Sequence, residues 1–190
     1  MKGYIKLRRH LAHILQTELP EHYSYHGMSH TINVLKVCNE YIRREKVTSE
    51  DAKLLRIGAI CHDLGFIVSH QNHEQKSSEL AASLMTQYGF SNSHISTVKG
   101  LIQATRVPQN PKTFLEKLLC DADLDYLGRE DYYKISNKLY QELKTLNLIS
   151  SKAEWKQQQI GFLKAHRYHT SFARKHRQPE KEKRIKELET

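Results

Sequence analysis

Hydrophobic positions recur at three- and four-residue spacing through nearly the whole chain, the period of helices that bury one face. Helices are predicted from about Ile5 to Glu18, Ser29 to Lys46, Ser49 to His62, Asn72 to Tyr88, Ser93 to Thr105, Lys112 to Leu127, Asp131 to Leu146, Lys152 to His169 and Pro179 to Leu188. The breakers agree. Pro20 stops the first helix, Gly65 follows the third, Gly89 ends the fourth, and Pro108 and Pro111 bracket a loop. Ser49 and the stretch from Ser91 to Ser93 offer hydroxyls for capping. No run alternates long enough to form a strand, and there is no internal repeat. The expected class is all-α.

Three of these segments carry ionisable residues onto faces that otherwise read as apolar. They are Tyr25-His26-Gly27-Met28-Ser29-His30, His62-Asp63 and Asp121-Ala122-Asp123. His30 shares a stripe roughly 100° wide with Val34, Val37, Cys38 and Tyr41, and His26 falls one turn earlier on the same side. His62 shares a stripe with Leu55 and Ala59. In the sixth predicted helix Asp123 lies about 70° from the centre of the apolar stripe and Asp121 about 130°. Asp123 is therefore the better-placed inward carboxylate, with Asp121 as the alternative. A single inward histidine is most simply a hydrogen-bonded core residue. Three such segments together point to one shared divalent metal site, because buried imidazole and carboxylate need pairing or ligation. That donor set suits Mn, Fe, Co, Ni, Mg or Zn.

Composition narrows the class further. With 190 residues, 38% hydrophobic and 27% charged, the chain is long enough for one domain with a real core. Cys38, Cys61 and Cys120 are scattered in apolar context and read as small core residues of a reducing compartment. No apolar run approaches the length of a membrane span, and the N-terminal residues lack the apolar region of a secretion signal. A cytoplasmic protein with no membrane partner is expected. The net charge is +9, and nine Lys/Arg against four Glu from Lys164 onward put +5 of it in the last 27 residues. The simplest reading is a solvated C-terminal helix with Glu/Lys pairs at helical spacing. No motif that reads nucleic acid accompanies it, so a nucleic-acid partner is not expected.

The ordered set of a histidine, a later His-Asp dipeptide and a distant aspartate resembles the HD-domain superfamily of metal-dependent phosphohydrolases. The motifs are Ile60-Cys61-His62-Asp63-Leu64-Gly65 and Cys120-Asp121-Ala122-Asp123-Leu124. The resemblance runs from about Tyr25 to Gly128. It implies a compact helical bundle over residues 1–190, with a motif-bearing core at about 22–128 and further helices at about 129–190. It also implies hydrolysis of a phosphorylated small molecule, expected to be a nucleotide, by metal-activated water. The metal ligands it implies are His30, His62, Asp63 and Asp123, holding one divalent ion per chain. Tyr25-His26-x-x-x-His30 is also similar to a segment of the cyclic-nucleotide phosphodiesterases of the same superfamily, although Gly27 stands where those have Asn. That similarity gives His26 the role of general acid, with Asp63 as the other catalytic residue.

His73, Glu74 and Arg106 are offered as contacts to a second metal or to phosphate. The histidine that two-metal members carry near Ala104-Thr105-Arg106 is missing here, which favours a single ion. His70 and His94 read as surface residues. Gln159, Phe162 and Tyr168 either face the core or line a pocket for a base. The alternative to an enzyme is an inactive HD module that binds a nucleotide or a protein partner, and the intact ligand set argues against it.

Overall fold

The apolar stripes meet in three clusters, and the third helix explains why. α3 (Ser49–Cys61) carries apolar residues on two faces, so it is buried on both. Leu54, Ile57, Ile60 and Cys61 face a cluster shared with α1 (Tyr4–Thr17), α4 (His73–Gln87) and α5 (Asn92–Ala104). Ala52, Leu55 and Ala59 face a second cluster shared with α2 (Met28–Arg44) and α6 (Phe114–Asp123). The third cluster joins Tyr25 to Leu124, Tyr126, Leu127, Tyr132 and Leu163. It seats α7 (Tyr132–Thr145) and α8 (Lys152–Ala165) beside the residues that follow α6. Two short helices, α9 (Ser171–His176) and α10 (Gln178–Glu189), complete the chain. This computed structural model describes residues 1–190 and is all-α, as the periodicity predicts.

Helix starts follow capping chemistry. The Thr48 hydroxyl, rather than that of Ser49, accepts the Asp51 amide at the start of α3. Thr113 and Glu116 form a reciprocal capping box at α6, and Ser91 and Ser151 cap α5 and α8. Gly65 is needed for close approach. It lies in the turn after α3, where an added methyl would drive into the His73 carbonyl. The Gly65 amide donates to the Ser77 hydroxyl at 2.7 Å, so this turn locks the start of α4 against the end of α3.

Two expectations are corrected, and both trace to one segment. The helix predicted to run to His169 stops at Ala165, because His166 is extended. Residues 166–170 instead lie across α6, and Thr170 caps α9, a helix that the periodicity did not predict. This covers the face of α6 that carries Asp121, whose carboxylate accepts the amides of His169 and Thr170 at 2.8 Å each. Asp121 is thus fully buried on the side of α6 away from the stripe and is tied to backbone.

The basic C-terminus is also more than a solvated helix. Lys181 and Arg184 are buried, and Lys181 Nζ donates to the His166 carbonyl at 2.7 Å. Arg177 Nε donates to Asp125 at 2.6 Å, while Lys175 and Lys183 remain exposed. No helix is long and apolar enough to cross a membrane.

Candidate metal centre

The three sequence segments converge at the ends of their helices. α2 begins at Met28, so His30 lies in its first turn and His26 just before it. His62 follows the last residue of α3, Asp63 follows His62, and Asp123 is the last residue of α6. From these helix ends the side chains of His30, His62, Asp63 and Asp123 converge on one region.

His30 Nε2 lies 3.2 Å from His62 Nε2, 3.1 Å from Asp123 Oδ1 and 3.5 Å from Asp63 Oδ2. His62 Nε2 lies 3.1 Å from Asp63 Oδ2 and 3.4 Å from Asp123 Oδ1. An ion about 2.1 Å from each donor places neighbouring donors about 3.0–3.4 Å apart, so the observed spacing fits a divalent cation. His62 Nδ1 donates to the Ala59 carbonyl at 3.0 Å, which fixes the tautomer and leaves a lone pair on Nε2. Asp63 Oδ2 is buried and accepts no hydrogen bond. An orphaned carboxylate oxygen beside a fixed imidazole lone pair could supply donors to a metal ion. His30, His62 and Asp123 alone already form a group that could hold an ion.

The electrostatics agree. Burial disfavours the Asp63 carboxylate, but His62, His26 and His30 hold its pKa far below the usual range. Burial likewise works against Asp123, which His30 and His62 bring down to about 2. Burial opposes charge on His62, yet Asp63 and Asp123 outweigh it and raise its pKa well above that of ordinary imidazole. The cluster therefore calls for a positive charge, which a proton or a metal ion can supply, and metal binding would release that proton.

A cavity of about 330 Å³ opens from this cluster. Asp63, Asp123 and His26 lie at one end, and Trp155, Gln159 and Phe162 at the other. His26 Nδ1 lies 2.5 Å from Glu142 Oε1, and Glu142 Oε2 also accepts the amides of Tyr25 and His26. Burial lowers the pKa of His26, but Glu142, Asp63 and Asp123 together outweigh it and the net shift is upward. Glu142 is itself buried and kept ionised against that burial by His26. Sequence reading missed this residue. In α7 it sits among polar neighbours, and only its tertiary partner reveals it.

His73 and Glu74, at the start of α4, line the same cavity. His73 Nε2 lies 3.6 Å from Asp63 Oδ1 and 3.4 Å from Glu74 Oε1. Phe66 stacks on both imidazoles, at 4.3 Å from His26 and 4.2 Å from His73. Arg106 is exposed on the loop after α5 and does not line the cavity. Gln159 and Phe162 do line it, whereas Tyr168 is buried elsewhere with its hydroxyl on the Leu124 carbonyl. The Gln159 carbonyl accepts from the hydroxyls of Tyr132 and Ser136, which fixes its carboxamide.

Comparison with curated proteins finds no match, and neither does comparison with solved structures. A family model, that of the HD domain, matches residues 27–125, which contain the convergent histidines and aspartates and just over half of the chain. With its all-α fold and a buried His-His-Asp group spaced for an ion, the chain belongs to the HD domain family, a superfamily of metal-dependent phosphohydrolases.

Proposed function

We propose that this protein hydrolyses a phosphoester of a nucleotide-like molecule at a single divalent metal ion held by His30, His62, Asp63 and Asp123. The observation that carries this reading is the orphaned Asp63 Oδ2 beside the lone pair of His62, in a cluster that opens directly into a cavity. A divalent ion bound there supplies charge neutralisation at a phosphoryl oxygen and lowers the pKa of water.

The remaining steps fall to side chains. Glu142 holds Nδ1 of His26 and favours its protonated form, and the ring presents its other nitrogen to a leaving oxygen. Phe66 fixes the ring plane by stacking. His73, whose pKa is lowered by burial, is neutral and reaches Asp63 Oδ1, where it can orient water or substrate. Trp155 and Phe162 form the apolar end of the cavity, which suits a flat heteroaromatic ring. With its carbonyl engaged by two hydroxyls, Gln159 is left with amide N–H donors for an acceptor on such a ring.

Because α7 and α8 supply Glu142 and Gln159 while α2, α3 and α6 supply the metal donors, we read residues 1–190 as one functional unit. The test is direct. Purified protein is analysed for bound metal and assayed against a panel of phosphoesters with each divalent cation in turn. Metal-dependent release of product from nucleoside phosphoesters supports the reading. Nucleotide binding without turnover under any cation would replace the enzyme with a binding module.

A further inference from the structure

The metal end of the main cavity is rich in charge, yet no positive charge is left over there to hold a phosphate. No lysine or arginine lines the cavity. Its ionisable side chains fall into sets that cancel. The carboxylates of Asp63 and Asp123 offset a divalent ion. His26 lies against Glu142, and His73 lies 3.4 Å from Glu74, so neither pair adds net positive charge whatever its protonation. The side chains of Glu142, Asp63 and Glu74 are only 1%, 9% and 12% exposed, so water screens them weakly. Arg106 falls between two lining residues, Thr105 and Val107, but is itself exposed and does not line the cavity.

A phosphoryl group with two or more negative charges needs cations where it is buried, because burying an uncompensated charge is costly. Arginine and lysine are the usual suppliers. The further donors that this cavity offers beside the metal ligands are neutral. The Tyr25 ring stacks on His30 at 4.8 Å and meets the Tyr126 ring at 5.7 Å, and both tyrosines line the cavity. A phenol keeps its proton at neutral pH, so these hydroxyls can donate without adding charge.

We propose that the substrate of this cavity is a phosphodiester, whose phosphoryl group carries a single negative charge. Phosphomonoesters and polyphosphates are disfavoured by the Glu74 carboxylate and by the lack of a cationic side chain in the wall. This rests on the hydrolase reading above. Hydrolysis of a diester forms one bond from a water oxygen to phosphorus and breaks one bond from phosphorus to an ester oxygen. One water proton passes, by way of His26, to that ester oxygen, which leaves as an alcohol, and the other stays on the product. The product is a monoester that loses this second proton near pH ~6 and becomes a dianion. The charge balance that admits the substrate thus favours departure of the product.

The first test needs no turnover. The full chain, loaded with a divalent ion, is titrated at pH ~8 with thymidine 5′-phosphate and with thymidine 5′-methylphosphonate. The two ligands are alike in size, but the phosphate is a dianion and the methylphosphonate, with a methyl group in place of one oxygen, a monoanion. Binding is followed by the fluorescence of Trp155, the single tryptophan, which lines the cavity. The methylphosphonate should bind about tenfold more tightly. Glu74→Gln should narrow that preference. Val107→Lys, which adds a cation to the wall at an exposed position, should reverse it. Arg106→Ala should leave it unchanged. In a kinetic arm, bis(4-nitrophenyl) phosphate should exceed 4-nitrophenyl phosphate in kcat/KM by about tenfold or more. Equal or tighter binding of the dianion, or loss of its affinity in Arg106→Ala, overturns the proposal, and turnover of either ester would then leave the hydrolase reading standing. Tighter binding of the monoanion with no turnover of any ester keeps the charge selection and removes the hydrolase reading. If neither ligand binds and neither ester is turned over with any divalent ion, both fall.

Discussion

The two ends of the main cavity are built on opposite principles. At one end His30 and His62 stand 3.1–3.5 Å from each other and from the carboxylates of Asp63 and Asp123, and Asp63 Oδ2 has no hydrogen-bond donor. At the other end apolar walls from Leu139, Trp155, Phe162 and Leu163 surround Gln159, whose carbonyl accepts from two hydroxyls. The first end could hold a cation, whereas at the second the Gln159 carbonyl is already engaged and only its amide N–H donors are free. Under the proposed function, reactivity and recognition are separable between these two ends. Changes at the first end should move metal content and turnover, and changes at the second should move substrate affinity alone.

The strongest way to break that separation is at His26, which lines the cavity at the metal end, stacked on Phe66. His26→Ala should lower kcat on alkyl phosphoesters by about 10²–10⁴-fold, as expected for a lost general acid, and leave metal content unchanged. Nitrophenyl esters should lose less, because their leaving group needs little protonation. Equal loss on both ester types would remove His26 from acid catalysis.

Glu142→Gln probes the same proton one residue further out, with an expected loss of about 10–100-fold. Glu142 raises the pKa of His26, so the protonated form survives to higher pH in the wild type and is lost as pH rises through that raised value. Without the carboxylate charge, the alkaline limb of the kcat profile should move to lower pH. A limb that stays in place would reduce Glu142 to a structural tie.

At the apolar end, Gln159→Leu should raise KM for nucleoside phosphoesters about tenfold, the cost of one lost hydrogen bond to substrate. Both kcat and metal content should hold. A fall in kcat with constant KM would mean that the two ends are coupled.

The smallest effect lies outside the cavity, at Lys181. Burial lowers its pKa to about 8 in the folded chain, so the unfolded chain binds more protons between there and the ordinary lysine value. Stability should therefore rise by about 1–2 kcal/mol from pH ~8 to ~10, and Lys181→Met should flatten that rise. Denaturant titrations of both proteins across this range check it.

The legibility of the molecule in its sequence follows the same division. Helix periodicity and local breakers are short-range signals, and the helices that position His30 and His62 lie within two residues of where the pattern places them, whereas the sixth helix stops at Asp123 instead of running on to Leu127. The stripe of α6 also ranked Asp123 above Asp121 as the inward carboxylate. What it could not show is that Asp121 is buried as well. That requires the extended segment after Ala165 to fold over α6, and its residues read as a continuing helix. Glu142 escaped notice for a related reason, since its partners Tyr25 and His26 lie more than a hundred residues away. The basic tail misled in the opposite direction. Composition made it a solvated helix, yet Lys181 is buried against a backbone carbonyl supplied by His166.

The central claim is that the orphaned oxygen of Asp63 completes a metal site with His30, His62 and Asp123. Its most direct test is the metal stoichiometry of purified wild type and Asp63→Ala by mass spectrometry, with circular dichroism to verify that the helices persist. The account predicts one divalent ion per chain in the wild type and none in Asp63→Ala at unchanged helicity. A folded Asp63→Ala protein that keeps its full complement of metal would contradict it.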